Sequence, residues 1–241
     1  MIQSPITPLR ETLANTMRRV NNFTVIFDMD GVIVDSERVY QEIERGMYDE
    51  IGIPVSKEDH ASFMGTAERS MWKILSDKYG IDRPVNDLVL EERERFIARL
   101  EAPVSIPLMK GLITLLKDLK SEQIPCLIAS SSSSEIIAKV IEINKLGVYF
   151  KGFVSGDDVT ESKPSPEIFL KAASLEGTEP SKCLVLEDSV NGIRAARAAG
   201  MPVIALRDSD SDQHSLMEAT MIIDSLSEVS SEKFRKIIAE P

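Results

Sequence analysis

Short, wholly apolar runs alternate along most of the chain with longer stretches whose apolar residues recur at helical spacing. The runs are Val25 to Phe27, Ile124 to Ala129, Phe153 with Val154, Cys183 to Leu186, Val203 to Leu206 and Met221 to Ile223. Apolar runs with β-branched and aromatic members and no polar alternation read as strands buried on both faces. Residues 111–120, 132–144, 166–175, 190–199 and 226–238 read as the helices between and after them. Strand and helix in turn predict an α/β fold, a Rossmann-like parallel sheet flanked by helices.

One interval breaks the alternation. From residue 37 to about 102 the apolar positions keep helical spacing throughout: Val39, Ile43, Met47 and Ile51, then Met71, Ile74, Leu75 and Tyr79, then Leu88, Phe96, Ile97 and Leu100. Breakers at Gly52 to Pro54, Gly65, Gly80 to Pro84 and Pro103 to Pro107 divide it. Four helices with no strand between them predict an inserted small α-helical bundle, a cap. The expected division is a catalytic core of residues 1–36 and 108–241 with a helical cap domain of residues 37–107. Ahead of the first strand, Ile6, Leu9, Leu13, Met17 and Val20 form a helical stripe. It reads as a surface helix or an extension, with an organelle transit sequence as the alternative.

Composition narrows the partners. A net charge of −11 disfavours sequence-independent nucleic-acid binding, which needs a basic footprint. No apolar stretch approaches the ~20 residues of a membrane span. Cys126 and Cys183 lie in apolar runs without metal-ligand spacing, and read as reduced core thiols in a cytoplasmic protein. A monomer is expected.

Chemistry gathers where strands end. The first strand runs into Asp28-Met29-Asp30-Gly31, and the fourth runs through Glu187 into Asp188-Ser189. The second runs into the serines Ser130 to Ser134, where hydroxyls and a helix N-terminus could seat a phosphate. Lys163 stands in the loop Glu161-Ser162-Lys163-Pro164-Ser165-Pro166. Open α/β sheets bind ligands at the carboxyl ends of their strands. Two like charges ~5 Å apart repel by about 3 kcal/mol at an effective dielectric near 20, so converging carboxylates require counter-charge. A hard divalent cation held by oxygen ligands, with Lys163, would supply it.

These four clusters, in this order, resemble the motifs of the haloacid dehalogenase-like hydrolases: DxDG with a following DS, a strand ending in Ser, the lysine of KPSPEIF, and EDSxxGxxAAxxAGM. The position of the insert is similar to that of the helical-cap class that includes β-phosphoglucomutase and many sugar-phosphate phosphatases. The resemblance implies Mg2+-dependent hydrolysis of a small phosphorylated metabolite, a sugar or polyol phosphate, through an aspartyl-phosphate. Asp28 would be nucleophile and metal ligand, and Asp30 the acid and base that also lends its carbonyl to the metal. Lys163 would neutralise nucleophile and phosphate, and Asp188 and Glu187 would complete the metal site. Ser130, Ser131 and the amides of Met29 and Asp30 would hold the phosphoryl group.

Asp30 separates the chain from the dehalogenases, which lack this acid. The mutases follow the second-motif serine with Ser-Lys-Asn and place a histidine five residues after the first motif's last Asp. Here those positions read Ser132-Ser133-Ser134 and Tyr40, which favours hydrolysis over the mutase alternative. A non-catalytic binding protein would not need every charged motif position. Substrate choice is expected in the cap loop, at Gly65, Thr66 and Arg69, and Trp72 in the cap's own core.

Overall fold

The computed structural model describes residues 23–63, 66–102, 106–207 and 216–239, so Gly65 and the stripe of residues 6–20 lie outside the described residues. Six strands form one sheet: β1 Thr24–Phe27, β2 Cys126–Ala129, β3 Gly152–Val154, β4 Cys183–Glu187, β5 Val203–Leu206 and β6 Met221–Ile223. All pairings are parallel, in the order β3-β2-β1-β4-β5-β6. The expected α/β architecture is the one observed.

The helices are α1 Glu37–Ile51, α2 Lys57–Ala61, α3 Glu68–Tyr79, α4 Val85–Leu100, α5 Leu112–Ser121, α6 Ser134–Ile143, α7 Glu167–Glu176, α8 Val190–Ala198 and α9 Ser231–Ala239. Successive strand residues point to opposite faces, and β1 divides accordingly. Val25 and Phe27 join a cluster with Leu115, Leu119, Ile136 and Phe234 from α5, α6 and α9. Ile26 joins Phe169, Ala172, Ile193 and Ala196 from α7 and α8 on the other face. Both sheet faces are thus covered, and all four β1 residues are buried. No polar alternation could have survived there.

Chain direction across the sheet reverses at β1, because β2 and β3 lie on one side of it and β4 to β6 on the other. Such a reversal opens a crevice at the strands' carboxyl ends. Phe27 is in register with Ile128 on β2 and Leu186 on β4, so Asp28, Ser130 and Asp188 emerge at one edge. Helices α1 to α4 follow β1 directly, with no strand among the described residues of that interval.

One element departs from expectation. The span 226–238 is not one helix: a 3-10 turn at Leu226–Glu228 is followed by extended Val229 and then by α9. Ser225 and Glu228 form a reciprocal cap, in which Glu228 Oε1 takes the amides of Asp224 and Ser225 at 2.9 and 2.8 Å. Those local bonds satisfy donors that a continuous helix would have had to pair. The amide of Ser231 then donates to Asp118 Oδ2 at 2.7 Å, tying the start of α9 to α5.

Candidate active site

The end of β1 is shaped by its own backbone. The Asp28 amide still donates to Leu186 O on β4 at 2.9 Å, holding that residue at the sheet edge. The Met29 carbonyl then accepts from the amides of Ile33 at 2.8 Å and Val34 at 3.1 Å, closing a tight loop. Gly31 sits in this loop at φ +74, and a Cβ there would fall 1.9 Å from Asp188 Oδ2. Only glycine meets both demands.

Lys163 reaches this edge from the loop before α7. Its Nζ, with a side chain 1 % exposed, donates to Asp28 Oδ1 at 2.5 Å and to Glu187 Oε1 at 2.6 Å. Burial alone would pull the ammonium's pKa down, but the Asp28 and Glu187 charges outweigh it and the net displacement is upward. Burial pushes the Asp28 carboxyl up to about 8, against the pull of Lys163. Glu187 is bracketed on its other oxygen, Oε2, by the amides of Asp188 and Ser189 at 2.8 and 2.7 Å and the Ser189 hydroxyl at 3.0 Å. Asp28, Glu187 and Asp188 each offer one oxygen within 4.8 Å of the others. This all-carboxylate, hard-oxygen set beside one ammonium fits a small divalent cation.

Asp30 is surrounded differently. Ser36 Oγ donates to its Oδ1 at 2.6 Å, while Ser132 and Ser130 donate to Oδ2 at 2.7 and 3.4 Å. Burial raises the Asp30 carboxyl above the ordinary range although those hydroxyls and the Lys163 charge pull the other way. Asp30 thus meets neutral donors, and Asp28 meets a cation. Ser132 was not singled out from the sequence, and Ser36 only as part of a motif. A serine run carries no mark of which hydroxyl turns inward. Ser130 itself is fully buried and accepts from the Ser132 amide at 3.1 Å, Met29 is buried, and Ser131 is half-buried on the wall of the adjoining cavity.

That cavity, of about 130 Å³, lies between Asp28, Asp30 and Asp188 on one side and side chains of α1 to α4 on the other. Thr66 lines it and accepts from Asn191 Nδ2 at 3.3 Å. Arg69 does not: it lines a separate pocket and donates to Asn86 Oδ1 at 2.7 Å. Trp72 is fully buried and donates through Nε1 to Glu92. The helix-side wall also contains Glu44, His60 and Glu92, none foreseen as site residues, and Glu68, which lies between Thr66 and Arg69 in the loop expected to choose the substrate but was not itself picked out. A signal existed in one case, since Glu92 stands four residues from both Leu88 and Phe96 and so on the apolar stripe of α4. A carboxyl on such a stripe is either a misfit or a functional group.

The sequence model for haloacid dehalogenase-like hydrolases matches residues 25–206. A probable pseudouridine-5'-phosphatase of Drosophila melanogaster is 30% identical over 215 residues, covering 87% of this chain and 92% of that protein. A phosphorylated carbohydrates phosphatase of Thermotoga maritima is 33% identical over 201 residues, covering 81% and 90%. Among solved structures, a β-phosphoglucomutase from Clostridium difficile superposes with a TM-score of 0.79 at 23% identity, covering 90% of this chain and 97% of that one.

Proposed function

The chain belongs to the haloacid dehalogenase-like hydrolases, and from that premise we propose that it hydrolyses a small sugar or polyol phosphate through an aspartyl-phosphate, with Mg2+ as its metal. It is a phosphatase of that family. The observation that carries the finer reading is the contrast between two buried carboxyls two residues apart. Burial raises both, but Asp28 is bonded to the Lys163 ammonium, which favours its ionised form, while Asp30 is held by three neutral hydroxyls. Environments that separate two carboxyls in this way assign one as nucleophile and the other as acid.

In the first step the Asp28 carboxylate would attack phosphorus while the ester P–O bond breaks, and the departing oxygen would take the Asp30 proton. In the second, Asp30 would accept a proton from water as that water attacks the aspartyl-phosphate, returning Asp28 and releasing inorganic phosphate. Ser130, Ser131 and the amides of Met29 and Asp30 are the donors assigned to the phosphoryl oxygens. Lys163 neutralises charge that the sheet edge otherwise concentrates. Asp28, Asp188 and the Asp30 carbonyl would hold Mg2+, which when bound offsets the negative charge of the phosphoryl group and carboxylates. Glu187 already accepts four hydrogen bonds, which fits a water-mediated part and the positioning of Lys163.

Residues 37–107 would act as a cap whose closure excludes water from Asp30. No helix among the described residues is long and apolar enough to cross a membrane. The cytoplasm is the compartment we assign, on the two buried free thiols. Purified protein with Mg2+ should release phosphate from small monoesters, lose that activity with EDTA and regain it on Mg2+ addition. Asp28→Asn should abolish turnover, and either EDTA-insensitive activity or an active Asp28→Asn variant would refute the mechanism.

A further inference from the structure

The cavity wall facing the catalytic edge carries three carboxyls and one imidazole, and two of its buried polar atoms have no hydrogen-bond partner among the described residues. Glu68 and His60 are 8 % and 9 % exposed, and both line the cavity. Arg93 Nε donates to Glu68 Oε2 at 2.6 Å, while Glu68 Oε1 has no hydrogen-bond partner. His60 Nε2 lies 3.3 Å from Glu44 Oε2, and His60 Nδ1 has no partner. Burial, with Arg45 nearby, lowers the His60 pKa and keeps the imidazole neutral. A neutral imidazole offers Nδ1 to a hydroxyl as acceptor in one tautomer and as donor in the other. Two buried polar atoms without partners are complementary to a ligand that brings hydroxyls, which both donate and accept.

The same wall carries nothing for a second anion. Among the described residues no Lys or Arg lines the cavity. The guanidinium of Arg93, on that side, is committed to Glu68 and to Asp157 Oδ1 at 2.9 Å. Nor is the wall a cation trap: burial raises the carboxyls of Glu44 and Glu92 well above the ordinary range, and Glu68 already has its counter-charge. We infer that Glu68 and His60 read the leaving group, selecting an uncharged one that carries hydroxyl donors and rejecting one that carries a carboxylate, a second phosphate or an amine. This rests on the phosphatase reading above and says which ester that site takes.

The test uses the full chain with Mg2+ and three matched three-carbon or two-carbon esters: glycerol 3-phosphate, 3-phosphoglycerate and phosphoethanolamine. p-Nitrophenyl phosphate, whose leaving group carries no hydroxyl donor to the wall, serves as reference. Expected is a kcat/KM for glycerol 3-phosphate at least tenfold above either charged ester. A site whose polar groups await a hydroxyl discriminates strongly against a ligand that leaves them unpaired. Glu68→Gln and His60→Ala should each lower kcat/KM for glycerol 3-phosphate at least fivefold more than for p-nitrophenyl phosphate, chiefly through KM. Equal loss on both esters would mean the residues only support the fold, and would overturn the inference. Preference for 3-phosphoglycerate or phosphoethanolamine would overturn it as well. If the wild type turns over p-nitrophenyl phosphate without discriminating among the three, the inference alone fails. If it hydrolyses none of the four, the phosphatase reading fails and takes the inference with it.

Discussion

Replacing Gly192 with alanine adds only one methyl group on α8, yet it should disable the site. A Cβ at this position would lie 1.7 Å from Glu187 Oε1 and 1.9 Å from its Cδ. Carbon and oxygen need roughly 3 Å or more between them, so the Glu187 carboxyl must retreat by more than about 1 Å. It has nowhere to go cheaply. Glu187 is fully buried, one oxygen is 2.6 Å from Lys163 Nζ, and the other takes three donors at 2.7 to 3.0 Å. Bonds of that length do not survive such a shift, and hydrogen bonds to a charged group contribute about 1.5–3 kcal/mol each. Alanine's better helix propensity returns only about 1 kcal/mol. The net expectation is a loss of about 2–4 kcal/mol in stability, a Tm lowered by about 5–10 °C, and phosphatase activity down at least tenfold as Lys163 loses its second anchor. Urea or thermal unfolding by circular dichroism and phosphate release with Mg2+ measure both. Glu187→Asp, shorter by one methylene, should restore part of the stability of Gly192→Ala while harming the wild type. An alanine variant with an unchanged Tm and turnover, or a double variant no better than the single, would refute the account of why glycine is required.

Lys163→Met should leave Asp28 and Glu187 facing each other in a buried site, a loss of about 3–5 kcal/mol if both stay ionised. The charge's role is refuted if chemical denaturation shows no change at pH 7. The buried acids on the helix side set a pH dependence of stability. Burial raises Glu44 to about 8 and Glu68 to about 7, and lifts Glu92 as well, from an ordinary value of 4.5. The folded chain therefore keeps protons that the unfolded chain releases between about pH 4.5 and 8, and stability falls as pH rises through that window. Calorimetry should find a lower Tm at pH 8 than at pH 5.5, with a shallower slope for Glu92→Gln; a Tm that rises over that range refutes it.

Much of the sheet and its chemistry was legible in the chain because buried parallel strands must be apolar on both faces. That constraint marked β1, β2, β4 and β5, whose residues are all buried, while the partly exposed edge strands β3 and β6 showed only as short apolar runs, and it made the polar residues at the strand ends conspicuous. Of the four helices between Glu37 and Leu100, α1, α3 and α4 were legible for a similar reason, since each buries one stripe, whereas the short α2 buries His60 alone. The span 226–238 was not, because its break depends on a local contest between Glu228's reciprocal cap and helix continuation.

Taken alone, the sequence determined the α/β class and the short motifs that hold Asp28, Asp30, Lys163 and Asp188, because those depend on residues within a few positions of one another. Tertiary structure alone decided that Ser36 and Ser132 turn to Asp30, that Gly192 makes room for Glu187, and that Glu44, His60, Glu68 and Glu92 meet over the catalytic edge. Apart from Ser36 to Asp30, which closes within one connection, these contacts join residues from separate elements, and their geometry is set by how the elements pack. A glutamate on α1, α3 or α4 reads the same in sequence whether it faces water or a neighbour. Packing alone distinguishes the two.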